Sequence, residues 1–518
     1  MRKTYFILVI GAVIFISSCE KKLDQSPISS ATTATFYQQP SDFIQAINAA
    51  YNSLRGYPDR ALFLSEVRSD NIYPSNNDVA RDHDPINNFA PNIASNVYVE
   101  EAWRVDFNGI FRANTVLDQI SKNGSYIGNA ALATRLTAEA KFLRAFFYFD
   151  LVKYYGKVPL IDHPVSALEA NNIGRSPVTD IYALIISDLQ FAIANLPTGY
   201  GGTYPAYGAT DVGRATKYAA EAILANVYMT RSGPTYGIEG AGLGLNEWSL
   251  ALPLLQDVIS SGVFVFNPTP YAFNTPGGVP ATGIFSYSNQ IPSYTTCGNR
   301  EAIFDVMYIY NANPVTGATY PWVLVPDSYF RSIGDTKLNG ALGAPTVSND
   351  LLISYSATDK RLAPTLHTTT FANDAHPFFR KYLDTTRIPT TSRFDWAINF
   401  IAVRYTDILM LKAECILHGA TGTQGDVDAI VNQVRARAGL PTVSNVTLPQ
   451  LFDERRREFA GEGSRWFDLQ RSGNLITIMN AWIAVEDAAI HKMNQVTAKD
   501  IIYPVPQSQL DAAPGLYQ

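Results

Sequence analysis

Cysteine is scarce in this chain, with three in 518 residues. A fold stapled by many disulfides is therefore excluded, and stability has to come from a buried core, for which the length is ample. Histidine is thin too, at six, and no HExxH or CxxC spacing occurs, so a metal centre of the zinc type has no support. A GxSxG elbow is missing. Gly240, Gly242 and Gly244 lack the preceding strand and the third glycine position of a dinucleotide loop, so no cofactor is implied. Positive charge is not in excess: 40 Lys+Arg against 46 Asp+Glu leave a net −6, which argues against a nucleic-acid partner. With 47% hydrophobic and 17% charged residues the chain is globular, and 34 Gly and 30 Pro exclude a collagenous or linker-dominated architecture.

What is present begins at the N-terminus. Arg2 and Lys3 precede an apolar stretch, Tyr5 to Ile16, followed by Ser17, Ser18 and Cys19. Residues 1–18 read as a signal peptide, and the stretch is too short to span a bilayer. A Cys directly after small residues, with Ile16 three positions upstream, fits the bacterial lipoprotein pattern, in which Cys19 is acylated (palmitate-type chains) and becomes residue one of the mature protein. An ordinary secretory signal cut near the same Cys is the competing reading. Removing residues 1–18 takes away Arg2 and Lys3 and leaves a net charge of −8. Residues 19–35 then read as a flexible tether. Cys415 falls in the apolar run Ile408 to Leu417 and is expected to be a buried thiol. Whether it pairs with Cys297 is left open by their spacing.

Helical periodicity dominates residues 36–266. Phe43, Ile47, Ala50 and Leu54 form one stripe. Trp103, Phe107, Ile110, Leu117 and Ile120 form another, with Asn114 on the same face as a helix-to-helix hydrogen bond. The helix Thr137 to Tyr155 is apolar on two faces, so it needs neighbours on both sides. Ile181 to Leu196 make a helix stopped by Pro197, and Ala215, Ala219, Ala222 and Ala225 make a ridge that admits a closely packed helix. Helix pairs of this kind predict a mostly α fold, a tetratricopeptide-like stack of helical hairpins with long inserted loops and a few short strands, although no clean 34-residue period is visible. Residues 267–399 change texture: prolines break helices, a strand is expected at Ile303 to Tyr310, and the aromatic density exceeds what a solvated loop would carry. Helices resume over 400–518, at Ile401 to Leu417, Val427 to Ala438, Leu448 to Ala460 and Gly473 to Val485.

Several segments are specific. "TAEAKFLRAFFYFDLVKYYGKVPLI", "VTDIYALIISDLQFAIANLP" and "RATKYAAEAILANVYM" in the first half resemble the SusD/RagB family of Bacteroidetes outer-membrane lipoproteins. So do "EAIFDVMY", "TDKRLAPT", "VRYTDILMLKAECILHG" with "VNQVRARAGLP", "ERRREFAGEGSRWFDLQRSG" and "YPVPQSQLDAAPGLYQ" in the second, in the family's order. "SCEKKLDQSP" is also similar, with Glu20 and Asp24 where the family tends to carry a surface-export signal. The resemblance spans Thr35 to Gln518 and weakens at Asp70 to Tyr98 and Asn267 to Asn399. It implies a non-catalytic cell-surface protein, lipid-anchored in the outer membrane and facing the exterior. Such a protein binds oligosaccharide and delivers it to a SusC-like TonB-dependent transporter against which the helical body packs. In the RagB branch the ligand is a peptide. A surface hydrolase and a pure helical scaffold are further alternatives.

Candidate contacts follow from the chemistry of sugars. The C–H face of a pyranose stacks on an electron-rich ring while Asn, Asp or Arg meet its hydroxyls. Tyr73, Asn77, Phe89 and Tyr98 from the first variable loop, and Tyr287, Tyr294, Tyr320 and Trp322 from the second, are the expected ligand-binding residues. Trp322 is expected to be the main platform, displayed in an extended loop by Pro321. Asp70, Asn71, Ser75, Asn76, Asn77 and Asp78 resemble an oxygen-rich cation loop but lack the Gly and terminal Glu of an EF-hand, so a polar turn or sugar contact is expected instead. The run Glu454, Arg455, Arg456, Arg457, Glu458 is expected to be a salt-bridged helix face. Glu462, Arg465, Trp466 and Asp468 are expected to fasten their helix to its neighbours.

Overall fold

The computed structural model describes residues 36–74, 82–267, 301–309, 312, 315–334, 343–371, 374–383, 385 and 394–517. The first helix, α1 (Pro40–Asn52), starts with Pro in its first turn and with Asp42 accepting from the backbone N–H of Gln38 at 3.0 Å. It buries Phe43, Ile47 and Ala50. α2 (Val97–Asn123) is capped by Asn96, whose side chain accepts from Tyr98 N, and α3 (Ala130–Tyr155) by Asn129. α3 buries Phe142 and Leu143 together with Phe146 and Phe147, which is how a helix apolar on two faces must sit. α4 (Val178–Asn195), α5 (Lys217–Ser232) and α6 (Trp248–Ser260) follow. Asn114 performs the bridging role its position suggested. Its amide donates to Ile161 O at 2.9 Å and its oxygen accepts from Arg144 of α3 at 2.8 Å, while Arg144 also grips Asp188 of α4.

Each helix from α1 to α6 packs on the next, and α6 packs directly on α7 (Tyr405–Leu417), which packs on α8 (Gln424–Arg437). The hairpin stack therefore continues across a long excursion, roughly residues 261–404, that enters it as an insertion. α9 (Leu448–Phe459), α10 (Arg465–Ser472) and α11 (Leu475–Glu486) complete the C-terminal half. Among the described residues, three antiparallel strand pairs decorate the stack. They are β1 (Ile72–Tyr73) with β3 (Thr346–Val347), β2 (Ala302–Val306) with β6 (Phe400–Arg404), and β4 (Leu366–His367) with β5 (Phe378–Phe379). β6 corrects one expectation. Residues 401–404 look helical in sequence because apolar positions adjoin an apolar helix, yet they pair with β2 and the helix starts at Tyr405. Among the described residues no helix is long and apolar enough to cross a membrane.

The charged run on α9 is salt-bridged as expected, but mostly to partners outside its own helix. Among its ion pairs with described residues, Arg457–Glu454 lies within the helix, whereas Arg361–Glu454 and Arg437–Glu458 reach across the fold, and most of these groups are buried. Arg404, at the end of β6, donates to Glu301 at 3.0 Å, to Glu458 at 3.0 Å and to Glu462 at 2.8 Å. Arg437 of α8 reaches Glu301 at 3.0 Å and Glu458 at 2.5 Å, Arg361 reaches Glu454 at 2.7 Å, and Lys381 reaches Glu462 at 2.7 Å. The network thus knots residues 301, 361, 381 and 404 onto α8, α9 and the turn after α9. A second knot joins the two ends of the chain. Arg465 clasps Asp70 through two bonds of 2.8 Å, and the Glu66 carboxylate accepts from the backbone N–H groups of Gly461 and Gly463 at 2.8 and 3.0 Å. Gly463 has φ +79°, and a Cβ there would lie 2.5 Å from Ala61 O, so only glycine lets the strands of this knot close.

Candidate functional site

Of the eight residues expected to meet ligand, Asn77, Tyr287 and Tyr294 lie outside the described residues, as does Cys19. The other five are tied into the protein. Tyr320 is fully buried, its hydroxyl donating to Ile398 O and Asn399 O at 3.1 and 2.9 Å, its ring edge-on to Tyr382 and Phe400. Phe89 is 3% exposed, lying beneath the Arg68 guanidinium at 4.7 Å and beside Trp466. Tyr98 stacks on Phe63 with centroids 3.9 Å apart. Tyr73 is half-buried and donates to Asp487 at 2.8 Å.

Trp322 corrects the expectation of a displayed platform. It is 7% exposed, donates from Nε1 to Asp327 at 2.9 Å, and meets Phe394 edge-on at 5.1 Å. Pro321 does not hold an extended loop here. It occupies the first turn of a short helical segment, Tyr320–Val323, where its fixed φ is already helical and its missing N–H costs nothing. Such a turn carries both neighbouring rings inward, and each polar tip finds an acceptor.

The oxygen-rich run is likewise spent internally as far as it is described. Asp70 is held by Arg465 and Arg456, which keep its carboxyl low, at about 2, against the opposing effect of burial, and Asn71 donates to Glu66. Ser75, Asn76, Asn77 and Asp78 lie outside the described residues. Among the described residues no group of His, Cys, Asp and Glu is arranged to hold a metal ion, and Cys415 is a free, buried thiol whose pKa burial raises. Cys297 lies outside the described residues.

An open cleft of about 340 Å³ lies where the end of α1 and the turn Ser53–Gly56 meet residues 210–214 and the far end of β2. Its walls are Asn48, Tyr51, Asn52, Leu54 and Arg55, then Thr210 to Arg214, then Asp305 to Met307. Arg214 is fully engaged, donating to Glu139 at 2.8 Å, Asp211 at 2.9 Å and Asn48 at 2.7 Å. Its guanidinium also covers the Tyr51 ring at 5.6 Å, and the Tyr51 hydroxyl accepts from Ala215 N at 3.0 Å. One face of that ring is therefore occupied by Arg214. Gly213, at φ +95°, lets Met307 close the wall, since a Cβ would lie 2.3 Å from its sulfur.

Two groups in the cleft stand apart. Arg55 forms no ion pair with any described residue, and its buried Nε–H meets no acceptor, although its carbonyl accepts from Tyr308 Oη at 2.7 Å. Asp305 sits on β2 with Asn399 Nδ2 donating to it at 2.9 Å. Burial pushes its carboxyl up to about 6, against the opposing pull of that bond. Sequence reasoning missed this cleft. Its one local signal was the carboxylate of Asp305 inside the otherwise apolar strand AIFDV. Arg55 and Arg214 read as ordinary surface cations until the turn and the insertion bring them together.

Asp59, near the same wall, yields a testable expectation. Burial raises its carboxyl to about 6, with the Thr319 hydroxyl and Arg60 opposing. An acid whose folded pKa exceeds its unfolded value of 3.8 destabilises the fold above about pH 6 and has no effect once both states are protonated. Asp59→Asn should therefore stabilise the protein by about 1–2 kcal/mol at pH 7.5, after allowing for partial exposure, and the gain should shrink as pH falls through about 6 and vanish only below the unfolded value of 3.8, near about pH 3. Urea midpoints of both proteins at the two pH values measure this; a gain that persists at low pH would show the carboxylate's charge is not its source.

Two family models match the chain. One described as "SusD family" covers residues 360–518, and one described as "Starch-binding associating with outer membrane" covers 22–229. Among curated relatives, a SusD-like protein P38 of Formosa agariphila is 26% identical over 99% of this chain and 97% of the relative. A SusD-like protein of Bacteroides ovatus is 25% identical over 90% of this chain and 82% of the relative. Solved structures agree in fold. Surface glycan-binding protein A from Bacteroides uniformis superposes with a TM-score of 0.72 at 24% identity, covering 92% of this chain and 98% of that one. Surface glycan-binding protein A from Bacteroides thetaiotaomicron, in complex with laminarihexaose, does so with 0.73 at 22% identity, over 93% and 99%.

Proposed function

Because the chain belongs to the SusD/RagB family, we propose that it is a non-catalytic, cell-surface glycan-binding lipoprotein that delivers oligosaccharide to a SusC-like TonB-dependent transporter. The observation that carries the reading is the agreement of both halves. One family model covers most of the N-terminal stack and another the C-terminal helices, and relatives align along nearly the whole length. Support for a sugar ligand comes from solved neighbours described as surface glycan-binding and laminarin-binding proteins. With Tyr320, Phe89, Tyr98 and Trp322 committed to packing, stacking is assigned to Tyr287, Tyr294 and the half-buried Tyr73, and hydroxyl contact to Asn77.

Calorimetry of residues 20–518 against neutral plant, host and microbial oligosaccharides, with peptides as a parallel set, tests the proposal. Binding of an oligosaccharide without release of shorter products is expected. A peptide-only response would move the protein to the RagB branch, and cleavage of the bound glycan would make it an enzyme. Recovery of a large TonB-dependent barrel with the protein from solubilised outer membranes is expected as well, and recovery of the protein alone would overturn the transporter assignment.

Anchoring rests on Cys19. Two or three acyl chains hold a protein at a membrane where one is marginal. Cys19→Ser should therefore move the protein wholly from the detergent to the aqueous phase on phase partition; a variant that partitions like the wild type would place the anchor elsewhere.

A further inference from the structure

We propose that the cleft between α1, residues 210–214 and the end of β2 is a separate subsite for an acidic sugar, a uronate unit whose carboxylate pairs with Arg55. The proposal rests on the glycan-binding reading only in taking the ligand to be a saccharide. The charge of the site comes from the walls themselves. Arg214 is neutralised by Glu139 and Asp211, and each of its three nitrogens already holds a partner, whereas Arg55 has no carboxylate among the described residues and keeps a buried N–H without an acceptor. A planar guanidinium in that condition is matched by an anion presenting two coplanar oxygens, and a carboxylate does this.

The remaining walls are mixed: Leu54, Val212, Val306 and Met307 supply apolar surface, and polar groups that fit hydroxyls stand among them. Asn52 is exposed at the rim, Asn48 stands beside Arg214, and the half-buried Asp305 offers a carboxyl held at one oxygen by Asn399. Asp305 is a poor neighbour for a second anion placed against it. The ligand's carboxylate therefore belongs at Arg55 and its hydroxyls at Asp305. Arg214 lies over one face of the Tyr51 ring, and recognition here is assigned to charge and hydrogen bonds. A volume of about 340 Å³ is at the small end of ligand pockets and suits one or two sugar rings.

The test uses residues 20–518 and three probes: digalacturonate, the neutral disaccharide of galactose with the same linkage, and galactose 6-sulfate. Digalacturonate is expected to bind at least about ten-fold more tightly than the neutral disaccharide, with affinity falling as salt rises. Arg55→Gln should weaken digalacturonate at least about ten-fold, with Arg55→Lys intermediate. Asn52→Trp, which fills the mouth from an exposed position and spares the core, should abolish binding. Thermal unfolding verifies that each variant is folded. Equal affinity for the charged and neutral disaccharides, or wild-type affinity in both Arg55→Gln and Asn52→Trp, overturns the proposal, and tighter binding of the sulfate ester than of the uronate overturns the assignment to a carboxylate. The neutral-oligosaccharide measurements on the wild type separate this site from the general function. Neutral glycans bound with digalacturonate ignored would sink the cleft alone, and the reverse pattern would sink the neutral-glycan reading while leaving the cleft.

Discussion

Replacing Arg404 by methionine should cost about 3–5 kcal/mol of folding free energy, more than its place at the end of a five-residue strand would suggest. The side chain is 2% exposed and is shared by three carboxylates, those of Glu301, Glu458 and Glu462. Removing it leaves buried negative charge that Arg437 and Lys381 neutralise only in part. An intact buried ion network need not outperform an apolar core, but breaking one strands its remaining charges in a medium that solvates them poorly. Urea unfolding measures the loss. One further reading separates this cause from simple loss of packing. Adding Glu462→Gln to Arg404→Met should restore part of the stability. Limited proteolysis should also cut the variant sooner within residues 301–383, the part of the insertion that the network ties to α8 and α9. A variant whose stability stays within 1 kcal/mol of wild type, an order-of-magnitude threshold of about one ordinary hydrogen bond, would mean the network is not a structural knot.

Trp322→Ala should be nearly as damaging, lowering stability by about 3–5 kcal/mol, as expected for emptying a buried indole site. The ring is 7% exposed, packs against Phe394 and spends its N–H on Asp327, itself fully buried. The change removes the ring and leaves the Asp327 carboxylate short of a donor. Trp322→Phe keeps most of the packing and isolates the second effect, so it should fall between wild type and Trp322→Ala. Folded Trp322→Ala, measured well below its melting temperature, should bind whichever oligosaccharide the wild type binds with unchanged affinity. Normal melting combined with a ten-fold loss of affinity, about 1.4 kcal/mol, would instead restore the indole to the ligand surface.

The two predictions bear on what could be read ahead of the fold. Helices were legible because their signal is local: Phe43, Ile47 and Ala50, or Ala219, Ala222 and Ala225, recur at the helical period and all are buried. Asn114 was legible for the same reason, as a polar group on an apolar stripe that had to find a partner. The fastening role expected of Glu462, Arg465, Trp466 and Asp468 also holds. Each engages a group on another element: Lys381 and Arg404, Asp70, Ile501 O, and Arg455 of α9. The neighbouring run Glu454 to Glu458 is salt-bridged as expected, yet most of its partners lie on other elements, since spacing along one helix shows which charges could pair within it and is silent about charges delivered from elsewhere.

By itself, then, the sequence determined the helical stack and the family, because helix periodicity and ordered motifs are properties of consecutive residues. Only the tertiary structure decided which aromatics are core and which carboxylates are knots. A Trp that packs and a Trp that stacks on sugar share one composition and one local context, and the difference lies in neighbours the chain brings from far away. Asp70 meets Arg465 across nearly the whole chain, and Arg55 meets Asp305 in one cleft only because the insertion returns to α1. Local propensity carries no record of such distant partners, whose pairing is set by the burial of the core as a whole.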